Sequence, residues 1–425
     1  MSDQNSVEAS LADAAVEVDF KDDASIDPFP HYARLRDSCP VPRLVKGSGL
    51  RPFLVTRYAD AKAALNDPRL LKDPRHGEGE LTAAGLAHIY FGEGATLSNN
   101  MLILDPPDHT RLRKLMAGQF TAHRTAQLAP RIQQLSDSLI DEMGPAGQAE
   151  FMSSFAIPLP ALVIAELLGV PTADRQQFRT WAQGSLLPMH DPKHLQALKA
   201  LSAYVAEIAE RKKAEPGPDL ISALIEDHSD NRLTEAELLG NIKLLILAGH
   251  ETTTNLLGNG LLALLRNRPQ LESLRAHPDL IPDAVEELLR YDSPVERATI
   301  RFAAEDVQIG DTLIPRGSTV YVALGSANRD EAEFPEADHL DIARSARGHL
   351  AFGYGLHFCL GAPLARLEAK IAFATLLRRL DDLELDAAPE DLTHQPSFMM
   401  RGLTTLPIRF RAKNPAEMIT RVQTP

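Results

Sequence analysis

A lone cysteine in a glycine-rich loop is the most reactive arrangement in this chain. The stretch HLAFGYGLHFCLGAPLARLE, residues 349–368, holds Cys359 among Gly353, Gly355 and Gly361. Glycine reaches positive φ and lets a backbone approach a bulky partner closely. Leu364, Leu367, Ile371, Ala374 and Leu377 then recur at helical spacing, which predicts a helix over 362–380 with Cys359 just ahead of its N-terminus. Unpaired N–H groups and the helix dipole at that point favour a sulfur anion, the form that a metal ligand or nucleophile requires. The competing account is a small buried hydrophobe, the ordinary state of a free cysteine.

Three other constellations carry chemistry. Ala248-Gly249-His250-Glu251-Thr252 places two small residues, then an acid and an alcohol, inside an otherwise apolar run. Glycine costs about 1 kcal/mol against alanine in a helix interior, so Gly249 calls for a reason such as close approach of a flat ligand. His250-Glu251 would open a zinc-binding His-Glu-x-x-His motif, but Thr254 stands where the second histidine belongs, which excludes a zinc protease. His109 and Arg113 lie four apart, so one helix face offers two donors to one carboxylate; a solvated basic face is the plainer account. Glu287 and Arg290 form an i, i+3 pair that, on a surface, is worth little.

The elements that must position these residues are mostly helical. Apolar residues recur at helical spacing over 128–143, 159–168, 195–213 and 220–226, with a break at Pro188–Pro192. The segment 231–267 is the longest candidate; Thr234 and Glu237 form a capping-box pattern and Pro269 marks its end. At ~1.5 Å per residue it is long enough, about 50 Å, to cross a whole domain. Strand signals occur at 52–56, and at 307–309, 313–314 and 319–322, which are expected to give the main sheet. Residues 72–100 are glycine-rich with scattered apolar side chains, a lid or pocket wall on one account and a short buried helix on the other.

Composition narrows the function. The 425 residues carry a net charge of −14, which argues against nonspecific nucleic-acid binding. Two cysteines, Cys39 and Cys359, supply no disulfide framework, and the acidic first residues do not read as an export signal. No apolar run approaches the ~20 residues that span a bilayer, so a cytoplasmic protein without a membrane anchor is expected. Residues 1–24 are expected to be a disordered leader, 25–412 one catalytic domain and 413–425 a tail.

Taken in order, these motifs resemble those of the cytochrome P450 superfamily, the haem-thiolate monooxygenases, and the resemblance spans about residues 25–412. The loop Phe-Gly-x-Gly-x-His-x-Cys-x-Gly resembles the haem-ligand signature. The resemblance implies that Cys359 is the axial thiolate on the iron of haem b (iron protoporphyrin IX), with Phe352 beside the sulfur, Gly361 in the same loop and His357 near a propionate. Asp-Pro-Pro-Asp-His-Thr-Arg-Leu-Arg is similar to the family's propionate-binding helix, which gives His109 and Arg113 that role. Arg301 matches a further propionate-binding arginine, with Arg297 the nearby alternative. Ala248 and Gly249 would line the dioxygen groove, and Glu251 and Thr252 would relay protons; a threonine bonded to its own helix backbone is the plainer account.

By the same resemblance Glu287 and Arg290 assemble the core and retain haem, with His339 standing where the usual third arginine belongs. Leu97, Leu187, Leu245, Val295, Ala298 and Met399 would line the substrate pocket. The implied fold is mainly α with small β-sheets, one triangular helix-rich domain enclosing haem. The implied activity uses O2 and two electrons from a ferredoxin and ferredoxin reductase to hydroxylate a lipophilic small molecule, such as a macrolide, another polyketide or secondary metabolite, or a sterol-like compound. Epoxidation or oxidative coupling on the same scaffold, or a haem-dependent sensor that never turns over, are the alternatives. Arg111, Lys114, Arg344, Arg347, Arg366 and Lys370 are expected to form a basic patch that steers the acidic redox partner.

Overall fold

The computed structural model of this chain describes residues 17–19, 27–45, 49–91, 99–185, 191–229 and 233–413. Its strands, in chain order, are β1 (Glu17–Asp19), β2 (Arg43–Val45), β3 (Phe53–Val55), β4 (Leu70–Leu71), β5 (Gln148–Glu150), β6 (Arg301–Ala303), β7 (Val307–Ile309), β8 (Thr312–Ile314), β9 (Thr319–Val322), β10 (Leu380–Leu385) and β11 (Pro407–Ala412). The helices that matter for the site are α1 (Phe29–Ser38), α2 (Tyr58–Asn66), α3 (Asp108–Ala117), α4 (Ala129–Met143), α5 (Pro158–Leu168), α6 (Pro192–Ala214), α7 (Leu220–Ser229), α8 (Glu235–Arg266), α9 (Ile281–Tyr291) and α10 (Ala362–Arg379). Among the described residues no helix is long and apolar enough to cross a membrane.

Helix α8 is the axis of the molecule. Its start is the predicted capping box: the Thr234 hydroxyl accepts from the Glu237 N–H at 3.2 Å, and the Glu237 carboxylate accepts from the Thr234 N–H at 2.8 Å. Thirty-two residues follow, about 48 Å at the helical rise. From Thr253 to Leu264 every residue is buried, as a helix enclosed on all sides must be. It packs against α5, α6, α9 and α10, and their apolar faces form the main core cluster.

The sheet differs from expectation in its membership. Strands β7 and β8 pair only with each other, whereas β9 joins the amino-terminal strands in a six-stranded sheet of order β1-β2-β3-β9-β6-β4. The hairpin of β7 and β8 is closed by a two-residue turn at Gly310, and its polar outer positions, such as Gln308, face solvent. Strand β9 is buried at all four positions and needs cover on both faces, which the amino-terminal layer supplies. Three residues of the expected leader, Glu17–Asp19, pair in parallel with β2; the rest of residues 1–24 lie outside the described residues, as do 414–425 of the expected tail. The stretch 72–91 is helical in short turns, at Pro74–Gly77, Glu78–Ala83 and Ala87–Tyr90.

Candidate active site

The cysteine loop is held by its own backbone. The Cys359 N–H donates to the Phe352 carbonyl at 2.9 Å, closing the loop on itself. Gly353 and Gly355 both sit at φ +71°, which a side chain would strain, and a Cβ on Gly355 would lie 2.6 Å from Asn66 Oδ1 at the end of α2. Gly361 has ordinary φ, and a Cβ there would meet the Cys359 sulfur at 4.0 Å, an ordinary contact, so the protein's own packing leaves room for a side chain at this position. The Arg366 guanidinium lies 4.4 Å from the centre of the Phe352 ring, so Phe352 is fixed beside the loop.

Cys359 stands three residues ahead of α10, as predicted, but the thiolate expected there is opposed by its surroundings. Desolvation by the surrounding protein pushes the thiol up. The Gly361 and Ala362 N–H groups and the charges of Arg113 and Arg366 pull it down by less. The residue itself is exposed. Ionisation therefore needs a further cation at the sulfur, which is what a metal ion supplies.

Around this loop converge donors that have no protein acceptor. His109 is buried and neither ring nitrogen has a partner; its ring lies 4.2 Å, centre to centre, from that of His357, whose Nε2 is also unpartnered. Arg301 donates to the Leu70 and Leu65 carbonyls, each at 3.1 Å, and keeps an unpartnered Nε. Arg113 donates to the Phe358 carbonyl at 2.6 Å. Burial and the charges of Lys72, His109, Arg301 and Arg113 hold His357 down at about 2, and burial lowers Arg301 to about 10. Burial, then Arg113, also lowers His109. So many buried donors, with Asp105 as the neighbouring acid, match a ligand carrying carboxylates. Arg297 lies elsewhere: Glu296 Oε1 accepts from it at 2.7 Å, and the Phe398 ring packs against it at 4.4 Å.

The middle of α8 carries the second part of the site. Glu251 is pushed up by burial to about 7. The Thr252 hydroxyl donates to the Ala248 carbonyl at 2.8 Å, the plainer of its two accounts, which leaves its lone pairs free to accept. His250 turns away: Nε2 donates to the Ile157 carbonyl at 3.2 Å ahead of α5, and burial lowers the ring to about 4. Gly249 also has a packing neighbour, since a Cβ there would lie 3.1 Å from Cδ1 of Ile164 on α5. Ala248 and Leu247, by contrast, are exposed in the middle of the helix, and Leu247 is 38% exposed.

Glu287 and Arg290 are fully buried, with Arg290 Nε donating to Glu287 Oε2 at 2.7 Å and NH2 to Oε1 at 2.8 Å. The third arginine is Arg344, whose Nε reaches Glu287 Oε1 at 3.3 Å; His339 supplies only its carbonyl, which accepts from Arg290 and Arg344 at 3.3 Å each. This reduces the expected basic patch. Arg344 is spent on Glu287, Arg366 is paired to both oxygens of Glu286 at 2.7 Å, and Arg111 bonds Glu237 and Asp108. Lys114, Arg347 and Lys370 are what remains of it.

Of the expected pocket residues, Leu97 and Leu187 lie outside the described residues. Val295 bridges Met400, Ala298 donates its N–H to the Val322 carbonyl at 2.9 Å, and the Met399 carbonyl accepts from the N–H groups of Glu296 and Arg297. Val295 and Met399 therefore lie on neighbouring segments, and Ala298 is tied to β9. Leu245 is buried in the main core cluster at 7% exposure. Lys72, which sequence reading passed over, and Asp105, which it read only as the first residue of the Asp-Pro-Pro-Asp block, prove central; a lysine in Leu-Leu-Lys-Asp-Pro gives no periodic or motif signal.

The family described as Cytochrome P450 matches residues 174–409. The chain is 48% identical over 394 residues to cytochrome P450 monooxygenase PikC of Streptomyces venezuelae, covering 92% of each. It is 41% identical over 394 residues to 6-deoxyerythronolide B hydroxylase of Saccharopolyspora erythraea, covering 91% of this chain and 97% of that one. The solved structure of the tirandamycin C-bound P450 monooxygenase TamI superposes with a TM-score of 0.85 at 40% identity, covering 93% of this chain and 100% of that chain.

Proposed function

This chain belongs to the cytochrome P450 family and is a haem-thiolate monooxygenase, and from that premise we propose which residues do its work and on what. Haem b is held by Cys359 at the iron and by His109, Arg113, Arg301 and His357 at its two carboxylates. Bound there, it supplies reductive activation of dioxygen and transfer of one oxygen atom to the substrate. The observation that carries this assignment is the convergence of unpartnered imidazole and guanidinium nitrogens beside the cysteine loop.

The protein's own part is binding, positioning and protonation. Phe352, pinned by the Arg366 guanidinium, and the Gly361 turn hold the loop that carries the sulfur. Thr252 spends its proton on the Ala248 carbonyl, so its oxygen accepts a hydrogen bond from whatever is bound above Ala248 and Gly249. Glu251, balanced near neutrality, exchanges a proton with water at little cost in either direction. Glu287 and Arg290, tied by Arg344, keep α9 in register under the loop.

The substrate is a lipophilic small molecule of the macrolide or polyketide class, hydroxylated beside Val295, Ala298, Met399 and Leu245. Similarity to 6-deoxyerythronolide B hydroxylase and to the tirandamycin C-bound enzyme supports that class. Electrons come from a cytoplasmic ferredoxin and its reductase. The test is the carbon monoxide difference spectrum of the reduced protein. A strongly red-shifted Soret band, abolished in Cys359→Ala, is expected, and a haem-loaded sample without that band refutes the ligand assignment. Binding spectra with macrolactones then test the substrate class.

A further inference from the structure

We propose that Lys72 and Asp105 are positioning residues that lock together the three segments bearing the carboxylate-binding donors, and so set how tightly the cofactor is held. The inference rests on the haem reading above. Lys72 is 3% exposed, immediately after β4. Its Nζ donates to the carbonyls of Thr299 at 2.6 Å and Ile300 at 3.0 Å and to the Thr299 hydroxyl, so all three ammonium hydrogens are engaged on the two residues that lead into Arg301. Its main-chain N–H donates to both oxygens of Asp105, each at 3.0 Å, and the Asp73 N–H adds a third bond at 2.8 Å. The carbonyl of Asp105 accepts the His109 N–H at 3.0 Å in the first turn leading into α3. One lysine and one aspartate therefore tie the end of β4, the start of α3 and the approach to β6. Arg301 closes the same circuit from its side, through the Leu70 carbonyl.

The arrangement is poorly explained as packing alone. Among the described residues no carboxylate oxygen is bonded to the Lys72 ammonium; Asp105 faces the backbone instead, and burial followed by the charge of Arg301 pushes the lysine well down. A buried cation held on carbonyl oxygens is costly unless an anion comes near. Because Lys72 has no hydrogen left to donate, its action on a carboxylate ligand runs through its charge and through the placement of Arg301.

Lys72→Met keeps the length and removes the charge and donors, while Asp105→Asn keeps the size and sets an amide group against backbone N–H groups. In holoenzyme we expect both to speed haem loss to an apomyoglobin acceptor by about 10–100-fold, the range for partners behind a ligand shell. The midpoint potential moves negative in Lys72→Met and positive in Asp105→Asn, since a positive and a negative charge are removed; a packing role would not split them in sign. Should Lys72→Met not fold, Thr299→Val removes one acceptor and is expected to speed haem loss by a smaller factor. Haem loss within twofold of wild type in the folded variants overturns the proposal while the thiolate band stands. Absence of that band in the wild type overturns the haem reading itself.

Discussion

Replacing Glu251 by glutamine tests the most consequential number in the site. Burial raises this carboxyl from 4.5 to about 7. With that pKa it is about 90% neutral at pH 6 and about 10% at pH 8, whereas an ordinary carboxyl is about 3% neutral at pH 6. The infrared difference spectrum between wild type and Glu251→Gln should therefore show a protonated-carboxyl band that titrates near neutrality. Linkage gives a second reading. The folded state binds more protons than the unfolded one between pH 4.5 and about 7, so the carboxyl lowers stability as pH rises through that window. The total is about 3 kcal/mol, and Glu251→Gln removes that slope, so its advantage over wild type grows from pH 5 to pH 8. Substrate oxidation in the variant should fall by about 10²-fold, with the neutral limb of its pH profile flattened. A carboxyl band that is already gone at pH 6 would show that Glu251 is solvated, and the reasoning from burial would fail with it.

Other outcomes follow from the packing. Glu287→Gln leaves the Arg290 guanidinium buried against a neutral amide and should cost about 3–5 kcal/mol, read as a lower denaturant midpoint; a loss below 1 kcal/mol would mean that Arg290 is satisfied by the Asn328, Ala337 and His339 carbonyls alone. Gly249→Ala gains helix propensity but presses on Ile164, so it should be near neutral alone and stabilising by about 1 kcal/mol in an Ile164→Val background. Additivity in that double-mutant cycle would show that Ile164 is not what limits the side chain at 249.

What was legible in the sequence was local. The capping box at Thr234, the extent of α8 and the glycine turn at Cys359 depend on residues within a few positions of one another, and they appear where the spacing places them. The fold class was legible because helical periodicity recurs along most of the chain. Contacts between distant segments were not. Lys72 meets Thr299 across 227 positions, and nothing near either residue announces it. The membership of β9 was missed for the same reason: pairing with Phe53–Val55 is decided by which edge needs cover, not by the strand's own residues. Cys359 shows a third kind of limit, since a helix terminus is visible in sequence but the desolvation that opposes its pull on the thiol is not. Arg344 was read as a surface charge because Glu287, which claims it, stands 57 positions away.

The Arg290 network uses position 339 only through its peptide oxygen, a group that all twenty amino acids possess. A side-chain change there leaves both guanidinium contacts in place, whereas loss of the arginine at 344 removes a contact that the buried Glu287 makes, so the network constrains the side chain at 344 and not the one at 339.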